Sequence, residues 1–161
     1  MLSPGSHSAL IAAIVEDFAA YYTPGAKVVY LGDTGTKWVV NEKAYLADLG
    51  IDVNRHGKMP DVLLHDVDRD WLVCVEAFHS GGPMSAKRVE ELRMLFAGCR
   101  PGLVFVTAVP DKATFRSAAV DIAWETDVWI RVSPTHLVHF NGERFLGPYA
   151  EGPPLEEEDP D

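Results

Sequence analysis

Apolar residues recur at helical spacing along the segment SALIAAIVEDFAAYY (8–22), where Leu10, Ile11, Ile14, Val15 and Phe18 share one face. That spacing predicts an amphipathic helix, ended by Pro24-Gly25. AKVVYLG then reads as a short buried strand closed by the turn-rich GDTG, and NEKAYLADLG as a short helix with Gly50 past its end. MPDVLLHD and DWLVCVEAF are two strands joined by a polar turn. SAKRVEELRMLFAG is a helix that turns Val89, Leu92, Leu95 and Phe96 inward. GLVFVTAV is a continuous apolar run of the kind found in a central strand covered on both faces. DKATFRSAAVDIAWE is predicted as helix, VWIRV as strand, and HLVHFNGERF as a hairpin about Asn141-Gly142. Strands alternating with helices make this an α/β chain: a single mixed-sheet domain with flanking helices over residues 1–149. The tail AEGPPLEEEDPD (150–161) buries too little apolar surface to order itself and is expected to be disordered.

Composition adds few surprises. A chain of 161 residues that is 47% hydrophobic buries a core without staples. Cys74 and Cys99 have no metal spacing and read as reduced thiols, which, with no signal peptide or membrane-length apolar run, places the protein in the cytoplasm. The net charge of −10 opposes a nucleic-acid role. Six of those acids lie in the tail, leaving −4 for the remainder. Asp61, Asp66, Asp68 and Asp70 form a second acidic group, while Arg55, Lys58, Lys87, Arg88 and Arg93 lie nearby in sequence.

Candidate chemistry begins at the hairpin. Asp61 and Glu76 are placed symmetrically about a turn centred on Asp68-Arg69, which sets them opposite each other on one sheet face. Directly opposed carboxylates repel, and the pair calls for a cation or a shared proton. Hard oxygen ligands, few and open to solvent, suit Mg²⁺, which keeps several waters for a substrate phosphate. Spacing alone is equally that of a turn aspartate and a strand-end surface glutamate.

Longer segments make the comparison specific. YLGDTGTKW, HGKMPDVLLHDVDRDWLVCVEA, SGGPMSAKRVEELRMLF, GLVFVTAVPDKATFR, DIAWETDVWI and HFNGERFLGPY run in one order. Together they resemble the C-terminal catalytic domain of the BsuBI/PstI-type restriction endonucleases, over about residues 8–149. The resemblance implies a PD-(D/E)xK-like core and hydrolysis of double-stranded DNA dependent on Mg²⁺, with Mn²⁺ able to substitute. It also implies action as a homodimer. Carried over by position, Asp61 and Glu76 are the metal ligands, joined by the carbonyl of Ala77. Enzymes of this type carry a separate N-terminal region resembling a DNA-binding module. This chain begins almost at the first catalytic-domain helix, so sequence recognition is expected to be lost, reduced, or supplied by a separate domain or subunit. Gly81 stands where many relatives have a histidine.

The motif asks for lysine two residues after the second acid, where this chain has Phe78. Lys87 is the first substitute: with Ser85 as N-cap it falls in the first helical turn, where a cation opposes the helix dipole and a helix built for stability alone would favour an acid. A solvated Lys87 paired with Glu91 is the plainer reading. Lys58 is the alternative, although simple alternation sends it to the face opposite Asp61. Asp33, Lys37, Ser80 and Arg88 are candidate DNA contacts, and Glu16 could reach the site from the first helix. His136 and His139 alternate across a strand, which argues against a zinc site. A non-catalytic module, a degenerate nuclease fold serving as subunit or regulator, is the competing function. Phe78 and the acidic charge favour it.

Overall fold

In the computed structural model, which describes residues 6–32, 40–52, 57–79 and 82–140, the first apolar segment is helical throughout. It comprises α1 (Ser6–Ala13), a π-helical turn (Ile14–Phe18) and α2 (Ala19–Tyr22). On the π turn Ile14 and Phe18 are buried while Glu16 and Asp17 stay in solvent. Seven strands form one sheet: β1 (Lys27–Leu31), β2 (Val40–Asn41), β3 (Val62–Asp66), β4 (Trp71–Ala77), β5 (Gly102–Val109), β6 (Thr126–Ile130) and β7 (Leu137–Phe140). Their spatial order is β2-β1-β3-β4-β5-β6-β7. β4, β5 and β6 run parallel; the other neighbours are antiparallel.

Helices cover both faces, as the strand–helix alternation predicts. The first helical segment buries Leu10, Ile14 and Phe18 against Val62, Val75, Ala77 and Val106. On the other face, α3 (Lys43–Asp48) and α4 (Ala86–Leu95) pack Leu46, Leu92 and Leu95 against Leu63, Cys74 and Phe105. α5 (Lys112–Ala118) covers a smaller cluster with Val109, Val128 and Ile130. β5 is central, with Phe105 through Val109 buried.

Two expectations change. The helix predicted over 111–125 stops at Ala118, because the Ala123 N–H leaves helical geometry to donate to the Met84 carbonyl at 3.0 Å. Ile122 and Ala123 enter the core as turn residues instead. The strand predicted as VWIRV ends at Ile130, where a turn begins that the Ser133 N–H closes on the Ile130 carbonyl at 2.9 Å. β7 pairs with β6; the predicted hairpin partner beyond Asn141-Gly142, the GDTG turn and the acidic tail lie outside the described residues.

Gly50 closes α3 at φ +89, and a Cβ there would meet the Gly98 carbonyl oxygen at 3.0 Å. Gly50→Ala therefore adds a left-handed strain of roughly 1–2 kcal/mol to a contact with immovable backbone. The expected loss of stability, read by chemical denaturation, is at least that strain; an unchanged midpoint would reject this account of the turn.

Candidate active site

The β3–β4 hairpin pairs Val62 with Val75, Leu63 with Cys74 and so on to Asp66 with Trp71, the register of a turn centred on Asp68-Arg69. Continued one step, it brings Asp61 opposite Glu76. Asp61 precedes β3, and two backbone groups fasten it. The Gly32 N–H donates to the Asp61 carbonyl at 2.7 Å, and the Ala77 N–H donates to Asp61 Oδ2 at 2.8 Å. Gly32 permits that close approach, since a Cβ there would lie 3.3 Å from the same carbonyl oxygen. The N–H and C=O of a strand residue point to one side, so the Ala77 carbonyl is turned toward Asp61 as well.

Glu76 lies deeper. Its side chain is 6% exposed, on the face covered by α4, and its carboxyl is pushed up to about 7. Burial is the main cause and the adjacent Asp61 carboxylate the second, with Arg88 pulling the other way. Arg88 donates through Nε to Glu76 Oε1 at 2.8 Å and through Nη2 to the Met59 carbonyl at 3.0 Å. The local sequence explains its placement. The Ser85 hydroxyl caps α4 by accepting the Arg88 N–H at 3.1 Å. Just before it, the Met84 N–H is held by the Thr107 hydroxyl at 3.0 Å, and Thr107 is the β5 neighbour of Glu76. The start of α4 is thus tied to the strand beside the glutamate.

A cleft of about 220 Å³ opens over Glu76 and is lined by Lys58, Lys87, Arg88 and Glu91 among others. Both candidate lysines therefore reach one space. The alternation that sent Lys58 to the other face does not operate, because β3 begins only at Val62 and residues 57–61 are not strand. Lys87 is 87% exposed with Nζ 3.9 Å from Glu91 Oε1. Phe78, at the position where the motif asks for lysine, packs into the α5 cluster with Val109 and Ile130. Asp33, Lys37 and Ser80 lie outside the described residues. Glu16 is exposed on the π turn. The first helical segment instead presents His7, with Nε2 3.9 Å from Asp61 Oδ1. Glu16 is nine residues further along, roughly 13 Å of helix away. No sequence signal singles out His7, since its nearness to Asp61 arises only when the helix docks on the sheet.

The remaining acids of the hairpin are at its other end, roughly 15–20 Å from Asp61 at strand rise. Asp66 is held by Arg69, and Asp70 by His65 and Arg100. Asp66 and Asp70 are accordingly taken up in ion pairs at the far end of the hairpin, away from the cleft over Glu76.

Among the described residues no three His, Cys, Asp or Glu side chains converge on one point. The donor set is two carboxylates and a carbonyl, all hard oxygen, with one side open. Two carboxyl groups held together against their repulsion, one of them pushed up to about 7, are a pair whose charge a divalent cation would satisfy. This set fits a hard, water-retaining ion and is too sparse for a structural zinc site.

Comparison with known proteins identifies the family. A family model for the BsuBI/PstI restriction endonuclease domain matches residues 1–143. The type II restriction enzyme BsuBI of Bacillus subtilis is 47% identical over 148 residues, covering 92% of this chain and 47% of that protein. The type II restriction enzyme AplI of Arthrospira platensis is 30% identical over 153 residues, covering 90% of this chain and 47% of the relative. The SdaI restriction endonuclease structure matches with a TM-score of 0.83 and 44% identity, over 92% of this chain and 47% of SdaI. The chain spans about half the length of these relatives. Among the described residues no helix is long and apolar enough to cross a membrane. On sequence over residues 1–143 and on fold, the chain belongs to the BsuBI/PstI restriction endonuclease domain family.

Proposed function

We propose that this chain is the catalytic domain of a type II restriction-like endodeoxyribonuclease that hydrolyses phosphodiester bonds of double-stranded DNA, using Mg²⁺ or, in its place, Mn²⁺. The observation that carries the reading is the Asp61–Glu76 pair at one sheet end, beside a cleft lined by cations. Asp61, Glu76 and the Ala77 carbonyl would hold the ion. When bound, it would neutralise charge growing on the phosphoryl oxygens and lower the pKa of a water. The chain's own groups do the rest. The Ala77 N–H orients Asp61, Arg88 keeps Glu76 from turning away, and Lys58 and Lys87 place positive charge where a phosphate would enter. A homodimer would cut both strands, and site recognition would come from a region or subunit outside these residues.

Plasmid incubated with Mg²⁺ or Mn²⁺ and resolved on a gel tests this reading, with nicked and linear product expected. The competing reading, a non-catalytic nuclease-fold module, is favoured by Phe78 and predicts unchanged plasmid with either ion. In the same assay run as single turnovers, Lys87→Ala is expected to slow cleavage about 100-fold, the low end for losing a general acid or base. Lys58→Ala should slow it less, and the reverse ranking would transfer the role to Lys58.

A further inference from the structure

We infer that a second cavity on the same sheet edge, lined by Lys112, Ser133 and His136, is a subsite for a backbone phosphate flanking the one that is cut. The inference rests on the nuclease reading above and extends it to residues that reading leaves unused. The cavity measures about 320 Å³, and Ile130, Leu137 and Val138 complete its wall. Among the described residues no carboxylate lines it, whereas the cleft over Glu76 includes Glu91. The neighbouring Asp111 turns its carboxylate onto the Thr114 N–H at 2.8 Å. A lysine, a histidine and a hydroxyl around an apolar floor, with no acid, suit a singly charged diester oxygen.

Topology sets this cavity beside the carboxylate pair. Because β4, β5 and β6 are parallel, the end of β4 that carries Glu76 and the end of β6 at Ile130 share one edge of the sheet. β7 is antiparallel to β6, so it begins at that same edge with Leu137. Phe78, just past Glu76 on the chain, packs in one cluster with Ile130 and Val138, so the cavity floor continues the face that carries Glu76. Two strand spacings amount to roughly 10 Å, about three base steps of duplex rise. A DNA strand that runs from Glu76 along this end of the sheet would pass the cavity.

The loop that supplies Ser133 and His136 is held in shape before any ligand arrives. The Ser133 N–H bonds the Ile130 carbonyl at 2.9 Å, and the His136 N–H bonds the Ser133 carbonyl at 3.1 Å. Trp129 Nε1, from the buried core, donates to the Pro134 carbonyl at 3.1 Å. Thr135 Oγ1 lies 3.0 Å from His136 Nδ1, which leaves Nε2 as the ring's remaining polar atom. Side chains on so braced a turn lose little freedom on binding, which favours a dedicated contact over chance surface charge.

The test measures binding of one short DNA duplex across a salt series, with Ca²⁺ present to read binding apart from cleavage. Lys112→Gln should weaken binding about tenfold and reduce the salt slope by about one unit, the signature of one lost phosphate contact. Lys112→Arg should restore both. Lys27→Gln removes an exposed charge at the far end of β1 and should leave the slope unchanged. Equal effects of Lys112→Gln and Lys27→Gln, or no effect of Lys112→Gln on a chain that binds and cuts DNA, would overturn the subsite alone. A chain that neither binds nor cuts duplex overturns the subsite together with the nuclease reading.

Discussion

Asp61→Asn and Glu76→Gln are each expected to lower divalent-ion-dependent cleavage by about 1000-fold or more, because each removes a ligand charge from a donor set that has only two. The same substitutions should not weaken the fold. An asparagine oxygen still accepts the Ala77 N–H that Asp61 now binds at 2.8 Å, and a glutamine oxygen still accepts from Arg88 Nε. In the ion-free chain both changes relieve a repulsion that helps push Glu76 up to about 7. Asp61→Asn should therefore melt at the same temperature as the unaltered chain or higher. Loss of activity with retained or raised stability distinguishes a functional pair from structural acids. Cleavage kept within about tenfold by either variant would reject the ligand assignment.

Arg88→Met should produce the largest loss of stability, because it strands a carboxylate that is 6% exposed. Removing one partner of a buried pair costs about 3–5 kcal/mol when the other stays charged. Glu76 has an escape, which gives the prediction its pH dependence. Folding raises its pKa from 4.5 to about 7, so the folded chain binds this proton more tightly than the unfolded one. That contribution to stability is fully present below pH 4.5 and is lost as pH rises through about 7. Without Arg88 the folded value moves higher still, since the arginine is what lowers it. The deficit of Arg88→Met should thus be larger near about pH 8, where the unaltered chain ionises Glu76 beside Arg88 and the variant must either hold the proton or strand the charge. Near about pH 5, where it is protonated, the deficit should shrink toward the loss of the Met59 hydrogen bond. Urea denaturation of both chains at the two pH values reads this directly. A deficit independent of pH would show that Arg88 acts through packing and leaves the charge of Glu76 alone.

Local rules determined a good part of this protein. The apolar periods place six of the seven strands and every helical segment but the end of α5 within a few residues, and the Ser85 cap and the glycine ends at Gly50 and Gly98 lie where propensity puts them. The strand register follows from one turn centre together with the side-chain period, because a one-residue slip would turn Val62 and Leu64 to the face opposite Val73 and Val75. That register was enough to oppose Asp61 and Glu76. What the sequence could not decide depends on contacts between distant segments. α5 ends early because a carbonyl more than thirty residues upstream takes the Ala123 N–H. Lys58 enters the cleft because the chain before β3 is not a strand, so alternation has nothing to act on. The placement of charge is decided in the same way: Asp66 pairs with Arg69 and Asp70 with Arg100 at the far end of the hairpin. The pairing of Arg88 with Glu76 arises only when α4 docks, and His7 has no signal until its helix crosses the sheet. Periodicity and turn chemistry act over a few residues and are written in the local sequence. The neighbours of a buried charge are set by packing across the sheet, and only the tertiary structure supplies them.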